Sequence, residues 1–356
     1  MKTLLVDGDN LFKIGFHGVR DLFVEGNHIG GVFHFINTLR KQIDEHNYDK
    51  IIVFWDGDDN SAVRRKLYPN YKLNRRQSMN EFKLESYHIQ KERVKEYLEE
   101  CFVRQVRATE CEADDLIAYY CQIAKEESKT ILSADKDYFQ LIDKHTSIYS
   151  PISKVTFKNG DKVKFGDTEF PHYNVLTLKI LTGDKSDNIS GILRLGEKTI
   201  VKYFPEILDS MVTFNHILTK AEELLEQDKK NTTLKNIVSG KTKDGEFGES
   251  FYQTNKKIVD LQNPLISDEG RVLVEQYYAD TLDPEGRGYK NLIRMMTEDG
   301  FFKYLGKSDD EFIKFIRPLM KLTRKEKRQH KQQLLLIEVR LAAISINISL
   351  INKKQT

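Results

Sequence analysis

Short apolar runs alternate with helical stretches through the first half of this 356-residue chain. Leu4–Asp7, Ile51–Trp55, Phe102–Arg107 and Thr130–Ser133 read as strands, with a shorter one at Ser147–Tyr149. Gly31–His46, Lys91–Glu100 and Ala113–Glu126 read as helices between them. Such alternation predicts an α/β fold: a mostly parallel, twisted sheet with helices on both faces. A period-two pattern around Asn159-Gly160 predicts a hairpin over Lys154–Lys164. From Tyr173 the chain turns helical, at Asn174–Thr182, Ile200–Phe204 and Met211–Leu225, while Lys229–Glu249 reads as a loop. After about residue 331 a basic composition gives way to Leu and Ile.

The polar residues that interrupt this pattern are acidic and sit at element ends. They are Asp7 in LLVDGDN, Asp56 in IIVFWDGD, Glu112, Asp114 and Asp115 in ECEADDL, Asp135 and Asp137 in ILSADKD, and Asp184 and Asp187 in TGDKSDN. Carboxylates at the carboxyl ends of parallel strands converge on one sheet edge, where open α/β folds place ligands. So much like charge in one cleft calls for cations. Oxygen donors without His or Cys select hard ions, Mg²⁺ or Mn²⁺. Glu112 and Asp115 share one side of a helix start, whereas Asp114 points elsewhere unless the first turn is irregular. Asp135 and Asp137 share one face of an extended segment, and Asp184 with Asp187 can approach from the opposite wall. Two ions about 4 Å apart could then activate water and stabilise a leaving oxygen. Any single Asp here reads more simply as a cap or turn residue. Nine at element ends outweigh that reading.

Charge adds a second polarity. Charged residues are 31% and hydrophobic ones 39%, as in a soluble protein, and the net charge of +2 conceals strong local separation. Between residues 62 and 76 stand six basic residues (Arg64, Arg65, Lys66, Lys72, Arg75 and Arg76) and no acidic one. From 314 to 331 there are eight Lys or Arg against the single Glu326. Lys and Arg can grip phosphates, while Tyr68 and Tyr71 can stack on unpaired bases at about 1–3 kcal/mol each. A charge run is usually a solvated loop, but this one leaves directly from Asp56. The segment SDNISGILRLGEKTIVKYF offers a glycine turn between short helices that can hold duplex phosphates; a plain helix–turn–helix packing element fits it equally. Cys101, Cys111 and Cys121 lack metal-type spacing and read as reduced thiols. No secretory leader is read at the start, and Glu338 and Arg340 argue against a bilayer span over Leu334–Ile351. A cytoplasmic monomer is expected, in the host cytoplasm if the chain is phage-encoded.

In order, LLVDGDNL, VFWDG, YPNYKLNR, ECEADD, SADKD and GDKSDN resemble the 5′-nuclease (flap endonuclease) family over about residues 1–265. That family includes phage 5′–3′ exonucleases, phage ribonuclease H proteins and the 5′-nuclease domain of bacterial DNA polymerase I. The resemblance implies a PIN-like core over about 1–170 with a helical arch at about 57–90. It implies a helix–hairpin–helix-like duplex-binding region over 171–265 and a helical region over 266–330; 331–356 has no family counterpart. It carries all nine carboxylates into a two-metal site, and Lys72 and Arg75 into the arch's catalytic basic pair, with Tyr71 as a stacking candidate. Arg64, Arg65, Lys66, Arg76, Gly191, Gly196, Lys198 and Thr199 are expected against nucleic acid. The implied activity is metal-dependent phosphodiester hydrolysis near the 5′ ends of flaps, nicks or RNA primers during replication. Expected partners are branched or nicked DNA and RNA–DNA primer duplex, with a single-strand-binding protein or sliding clamp and K⁺ at the hairpin turn. One departure stands out: Gly191-Ile192-Leu193-Arg194-Leu195-Gly196 has Arg194 where the family's Gly-Val-x-Gly-Ile-Gly has glycine.

Two other classes compete. A haloacid-dehalogenase-type phosphatase would use Asp7-Gly8-Asp9, but Leu11 stands where Thr or Val is expected, and Asp184-x-x-Asp187 is one residue short. It also leaves Glu112–Asp115 and Lys72 unexplained. A non-cleaving DNA-junction module would tolerate a degenerate cleft, whereas the acidic set here is complete.

Overall fold

The computed structural model describes residues 1–19, 22–24, 26–74, 80–245, 248–279, 286–301, 305, 310–322, 324, 325, 328, 331 and 332. The chain divides into two compact units. The first joins Met1–Lys13, Tyr48–Leu84 and Gln105–Tyr278, and the second joins Ile14–Asn47, Glu85–Arg104 and Ala279–Thr356.

In the first unit a six-stranded sheet runs in the order Arg104–Arg107, Lys50–Trp55, Lys2–Asp7, Ser128–Leu132, Thr146–Ser150, Val155–Phe157. Lys2–Asp7 is parallel to both neighbours, with Leu4 opposite Ile51 on one side and Thr130 on the other. Ser128–Leu132 pairs parallel with Thr146–Ser150, and the last joint, to Val155–Phe157, is antiparallel. Every residue of Lys50–Trp55 is buried, so its apolar run shows no alternation. That is the mark of a sheet covered on both faces, as in a doubly wound α/β fold. Helix Ala113–Ile123 contributes Leu116, Ile117 and Tyr120 to the core that holds Ile52, Phe54 and Ile131.

A second core in this unit gathers five helices: Val175–Thr182, Glu197–Tyr203, Phe214–Gln227, Thr232–Ser239 and Glu249–Val259. Local chemistry sets their ends. Thr213 and Asn231 accept from the backbone N–H groups of His216 and Leu234, and Gly240 closes a helix in the left-handed region. Tyr68 and Tyr71 belong to this core.

The second unit is helical. Gly30–Glu45 sends the Phe33 ring against Phe301 and Phe315. Asp299, just beyond helix Tyr289–Glu298, accepts from Arg93 at 2.6 and 2.9 Å and from the Tyr97 hydroxyl.

Three expectations about elements need correction. The turn at Asn159-Gly160 forms, with Gly160 at φ +91°, but the flanking strands do not pair with each other. Val155–Phe157 joins the large sheet, and Lys162–Phe165 pairs with Thr168–Pro171 instead. The helix read from Lys91 begins at Glu81, because its weak polar periodicity hid the first turns. The segment read as a loop from 229 holds helix Thr232–Ser239, which Asn231 starts and Gly240 stops. Of the arch expected at about 57–90, residues 75–79, Arg75 and Arg76 among them, lie outside the described residues, as do most of 331–356.

Candidate functional site

Three adjacent parallel strands deliver the first group of side chains. Asp7 ends the central strand, Asp56 follows Trp55 and Ser133 follows Leu132, so all three emerge at one edge. Asp7 is 7% exposed and accepts from Ser133 Oγ and Tyr138 OH, both at 3.1 Å, and from the Asn10 N–H at 3.1 Å. Burial, then the charge of Asp56, pushes Asp7 up to about 7. Asp56 is raised by burial and next by Asp9, against the opposing pull of Lys13 and of the Ala113 N–H that it accepts at 3.0 Å. Asp9 is itself buried and accepts from the Asp56 N–H at 2.9 Å. Gly57 lets this edge close, because a Cβ there would lie 1.7 Å from the Ala108 carbonyl oxygen.

Next to this edge stands a buried ionic cluster. Helix Ala62–Leu67 carries Arg64, 4% exposed, which grips both Asp115 oxygens at 2.5 and 3.0 Å and lies 3.6 Å from Glu112. Its Nε donates to the Ile258 carbonyl at 3.0 Å. Although burial opposes the charge, Asp115, Asp114 and Glu112 hold the guanidinium firmly protonated. Asp115 also accepts the Leu265 N–H at 2.8 Å. Glu112 receives Lys72 Nζ at 2.7 Å, Tyr71 OH at 3.0 Å and Ser61 Oγ at 3.3 Å. Burial would raise Glu112, but Arg64 and Lys72 overcome it and hold the carboxyl below its ordinary range. Lys72 adopts φ +56°, a conformation that costs a non-glycine residue about 1–2 kcal/mol. Its N–H donation to the Asp187 carbonyl at 2.9 Å, and the ion pair with Glu112, hold it there.

The third group faces the loop after helix Val175–Thr182. Lys179, 7% exposed, bridges Asp137 and Asp184, the latter at 2.7 Å. Burial raises Asp137 to about 6 even with Lys179 opposing, and Asp135 adds to the rise. Against burial, Lys179 and the Ser186 hydrogen bonds hold Asp184 at about 2. Asp187 accepts from Tyr71 OH at 3.3 Å. Asn188 donates to the Asn70 carbonyl at 2.7 Å and Asn74 to the Lys185 carbonyl at 3.0 Å, which zips the basic segment onto this loop. The loop folds back tightly: a Cβ at Gly191 would sit 2.0 Å from the Thr182 carbonyl oxygen, and one at Gly183 would sit 2.3 Å from that of Ile189. Arg194 keeps φ +64°, and the Leu195 N–H donates to the Ile192 carbonyl at 3.1 Å. The glycine-like turn therefore survives the substitution, at a strain cost of about 1–2 kcal/mol.

All nine carboxylates belong to one connected set within the first unit. Asp7 interacts with Asp56 and Asp135, Asp135 with Asp137, and Lys179 joins Asp137 to Asp184. Asp56 interacts with Glu112, which Arg64 ties to Asp114 and Asp115, and Tyr71 joins Glu112 to Asp187. Several placements differ from expectation. Arg64 is buried among carboxylates rather than offered to nucleic acid, and Asp115 spends both oxygens on it. Tyr71, 2% exposed, packs and hydrogen-bonds instead of presenting a stacking face. Arg65 and Lys66 are exposed, and so is Lys198, 4.0 Å from Asp167; Thr199 is half-buried, its N–H on the Gly196 carbonyl. Sequence reasoning missed Ser133, Tyr138 and Lys179, and weighed Asp9 only within the rival phosphatase motif. Only Asp9 had a signal, as the second acid of LVDGDN; the others act through tertiary placement.

Among the described residues no three His, Cys, Asp or Glu side chains lie close enough to hold one ion as they stand. Lys72, Lys179 and Arg64 occupy the space between the carboxylates. The donors still fit a hard divalent cation: all are oxygens, and burial and like charge disfavour the ionised forms of Asp7 and Asp137.

Comparison with known proteins bears on the family. The family model described as the 5′–3′ exonuclease, N-terminal resolvase-like domain matches residues 2–167. A 5′–3′ exonuclease of Halalkalibacterium halodurans is 34% identical over 216 residues, covering 55% of this chain and 67% of that protein. The chain belongs to the 5′–3′ exonuclease family. This nuclease is also 30% identical over 226 residues to DNA polymerase I of Streptococcus pneumoniae, spanning 58% of the nuclease but only 24% of the polymerase. Its fold matches the T5 5′-exonuclease solved with divalent metal ions (zinc), with TM-score 0.58 and 18% identity over 85% of this chain and 99% of that one. A T5 flap endonuclease complex with DNA and metal ions matches with TM-score 0.52 and 17% identity, over 91% of this chain and 100% of that one. As a family member the nuclease is a phosphodiester hydrolase of the 5′–3′ exonuclease kind, which sets the phosphatase and non-cleaving alternatives aside. No described helix is long and apolar enough to cross a membrane.

Proposed function

We infer that the edge holding Asp7, Asp56 and Asp135 is the hydrolytic centre for 5′ flaps, nicked or gapped DNA and RNA primers. The reading rests chiefly on one observation: carboxylates from adjacent parallel strands meet at a single edge, with Asp7 pushed up to about 7 by burial and by Asp56. Divalent metal dependence is supported by the solved relatives with metal bound. Two Mg²⁺ or Mn²⁺ ions would be held by Asp7, Asp56, Glu112, Asp114, Asp135, Asp137, Asp184 and Asp187. When bound, such ions lower the pKa of water and neutralise charge on phosphate. Asp115 acts through Arg64, anchoring the helix that leads into the basic segment.

The chain's own groups position the substrate. Lys72 leaves Glu112 for the scissile phosphate and stabilises its developing negative charge. Arg75, Arg65, Lys66 and Arg76 grip neighbouring phosphates. The turn Gly191–Gly196, with Lys198 and Thr199, holds duplex backbone without reading sequence, and its carbonyls suit K⁺. The nuclease core at about 1–170, the arch and the duplex-binding region at 171–265 go with this reading. So do a monomeric state, a cytoplasmic place and a role in replication beside a single-strand-binding protein or sliding clamp.

A 5′-labelled flap incubated with Mg²⁺, with and without chelator, tests the proposal. Cleavage near the 5′ end that stops on chelation is expected, and chelator-resistant cleavage would overturn it. Lys72→Ala should slow single-turnover cleavage at least about a hundredfold while duplex affinity changes little; an unaltered rate would remove Lys72 from the chemistry.

A further inference from the structure

The second unit carries a charged surface made of residues to which the hydrolytic centre assigns no role. Residues 310–322 are helical, as are 324, 325, 328, 331 and 332. One side of this stretch buries Phe312, Phe315, Ile316, Leu319 and Leu322. Lys314, Arg317, Lys321, Arg324, Lys325 and Arg328 follow at intervals of three, four or one. At 100° per residue these six fall within an arc of about 100°, centred opposite the buried row, and their Cα positions span about 21 Å. All but the half-buried Lys325 are exposed. Four of them, Lys321, Arg324, Lys325 and Arg328, line a surface hollow of about 270 Å³. Among the described residues, Lys321 of this face pairs with Asp44 at 3.9 Å, between side chains 62% and 57% exposed. Such a pair is worth at most about 1 kcal/mol and yields readily to a stronger anion. Arg324 is steadied over the Tyr289 ring at 5.7 Å.

We propose that this face is a second nucleic-acid contact, which holds the phosphate backbone of duplex DNA without reading its bases. Repeated cations along one helix face, around a hollow that no described carboxylate lines, form an electrostatic track for a polyanion. Stacking on unpaired nucleotides would need aromatic side chains among the cations. The aromatic residues described in this helical stretch, Phe312 and Phe315, are turned into the core, and the half-buried Tyr289 ring nearby is taken up by Arg324. Duplex backbone therefore fits better than single strand. An acidic protein segment is the competing occupant, but its ligand would have to match a track of about 21 Å, whereas duplex DNA supplies regular phosphates over any length.

The proposal rests on the nuclease reading for its choice of polyanion, so the test separates the two. The full chain with Lys321→Ala, Arg324→Ala and Arg328→Ala is compared with the unaltered protein in EDTA, across a salt series, on a long blunt duplex. The substituted side chains are exposed, so the urea midpoint should hold. Duplex affinity should fall at least about tenfold at low salt, and the slope of log K against log salt should shrink by about 2–3. Cleavage of a short saturating flap should keep its turnover. An unchanged slope would overturn the proposal. So would unchanged duplex affinity accompanied by lost binding of a polyglutamate peptide, which would make the face a protein dock. Failure of the unaltered protein to cleave the flap would sink the nuclease reading and leave the binding comparison intact.

Discussion

Arg64 shows how far one residue's meaning depends on its surroundings. In the sequence it belongs to a run of bases that reads as a phosphate grip; in the fold it is 4% exposed and fixed between Asp115, Glu112 and the Ile258 carbonyl. Removing one partner of a buried ionic cluster leaves uncompensated charge at a cost of about 3–5 kcal/mol. Arg64→Met should therefore lower the free energy of unfolding in urea by that order. Arg64→Lys should recover only part, since a lysine cannot offer the paired donors that both Asp115 oxygens accept. Full stability with weakened DNA affinity would return Arg64 to the role its neighbours suggested. Arg194 presents the opposite case, a side chain where glycine suits the backbone. Its left-handed strain of about 1–2 kcal/mol exceeds the entropy penalty of glycine, about 0.5–1 kcal/mol. Arg194→Gly should raise the free energy of unfolding by up to about 1 kcal/mol, read from urea curves, and a lowered value would show that the turn carries no strain.

At the scale of elements, most of the sheet and its acidic edge could be read directly. Strands at Leu4, Ile51 and Thr130 announced themselves as buried apolar runs, and Asp7, Asp56 and Asp135 followed because strand ends fix where a carboxylate must lie. What escaped was decided by pairing across the chain. Val155–Phe157 chose the large sheet over its hairpin neighbour, and Lys179 gained its role only when its helix met Asp137 from a different segment. That lysine separates two carboxylates, which gives it a pH signature. Asp184 is held at about 2, below its ordinary 3.8, so the pair's stabilisation is complete above pH 4 and lost as pH falls towards 2. Lys179→Met should unfold more easily than the unaltered protein at pH 7 in EDTA, with the gap closing between pH 4 and 2. A gap that stays constant across that range would mean Lys179 contributes packing rather than charge.

For the whole molecule, the acidic edge sets stability against function. Asp7 is raised from 3.8 to about 7 and Asp137 from 3.8 to about 6, so between pH 4 and 7 the folded chain binds more protons than the unfolded one. Stability must then fall as pH rises through that window, since each raised carboxyl disfavours the native state once it ionises. A divalent cation at this edge acts with the opposite sign: it favours the ionised carboxylates and binds only where the fold has assembled them. At a hundredfold excess over its dissociation constant, such a ligand adds about 2.7 kcal/mol. Unfolding midpoints taken from pH 4 to 7 should therefore decline in EDTA, and Mg²⁺ should flatten or reverse the decline, with its largest effect near pH 7. Magnesium that raises the midpoint equally at pH 4 and pH 7 would be acting elsewhere on the surface. A midpoint indifferent to magnesium throughout would mean that Lys72, Lys179 and Arg64, rather than bound metal, are the permanent counter-ions of this edge.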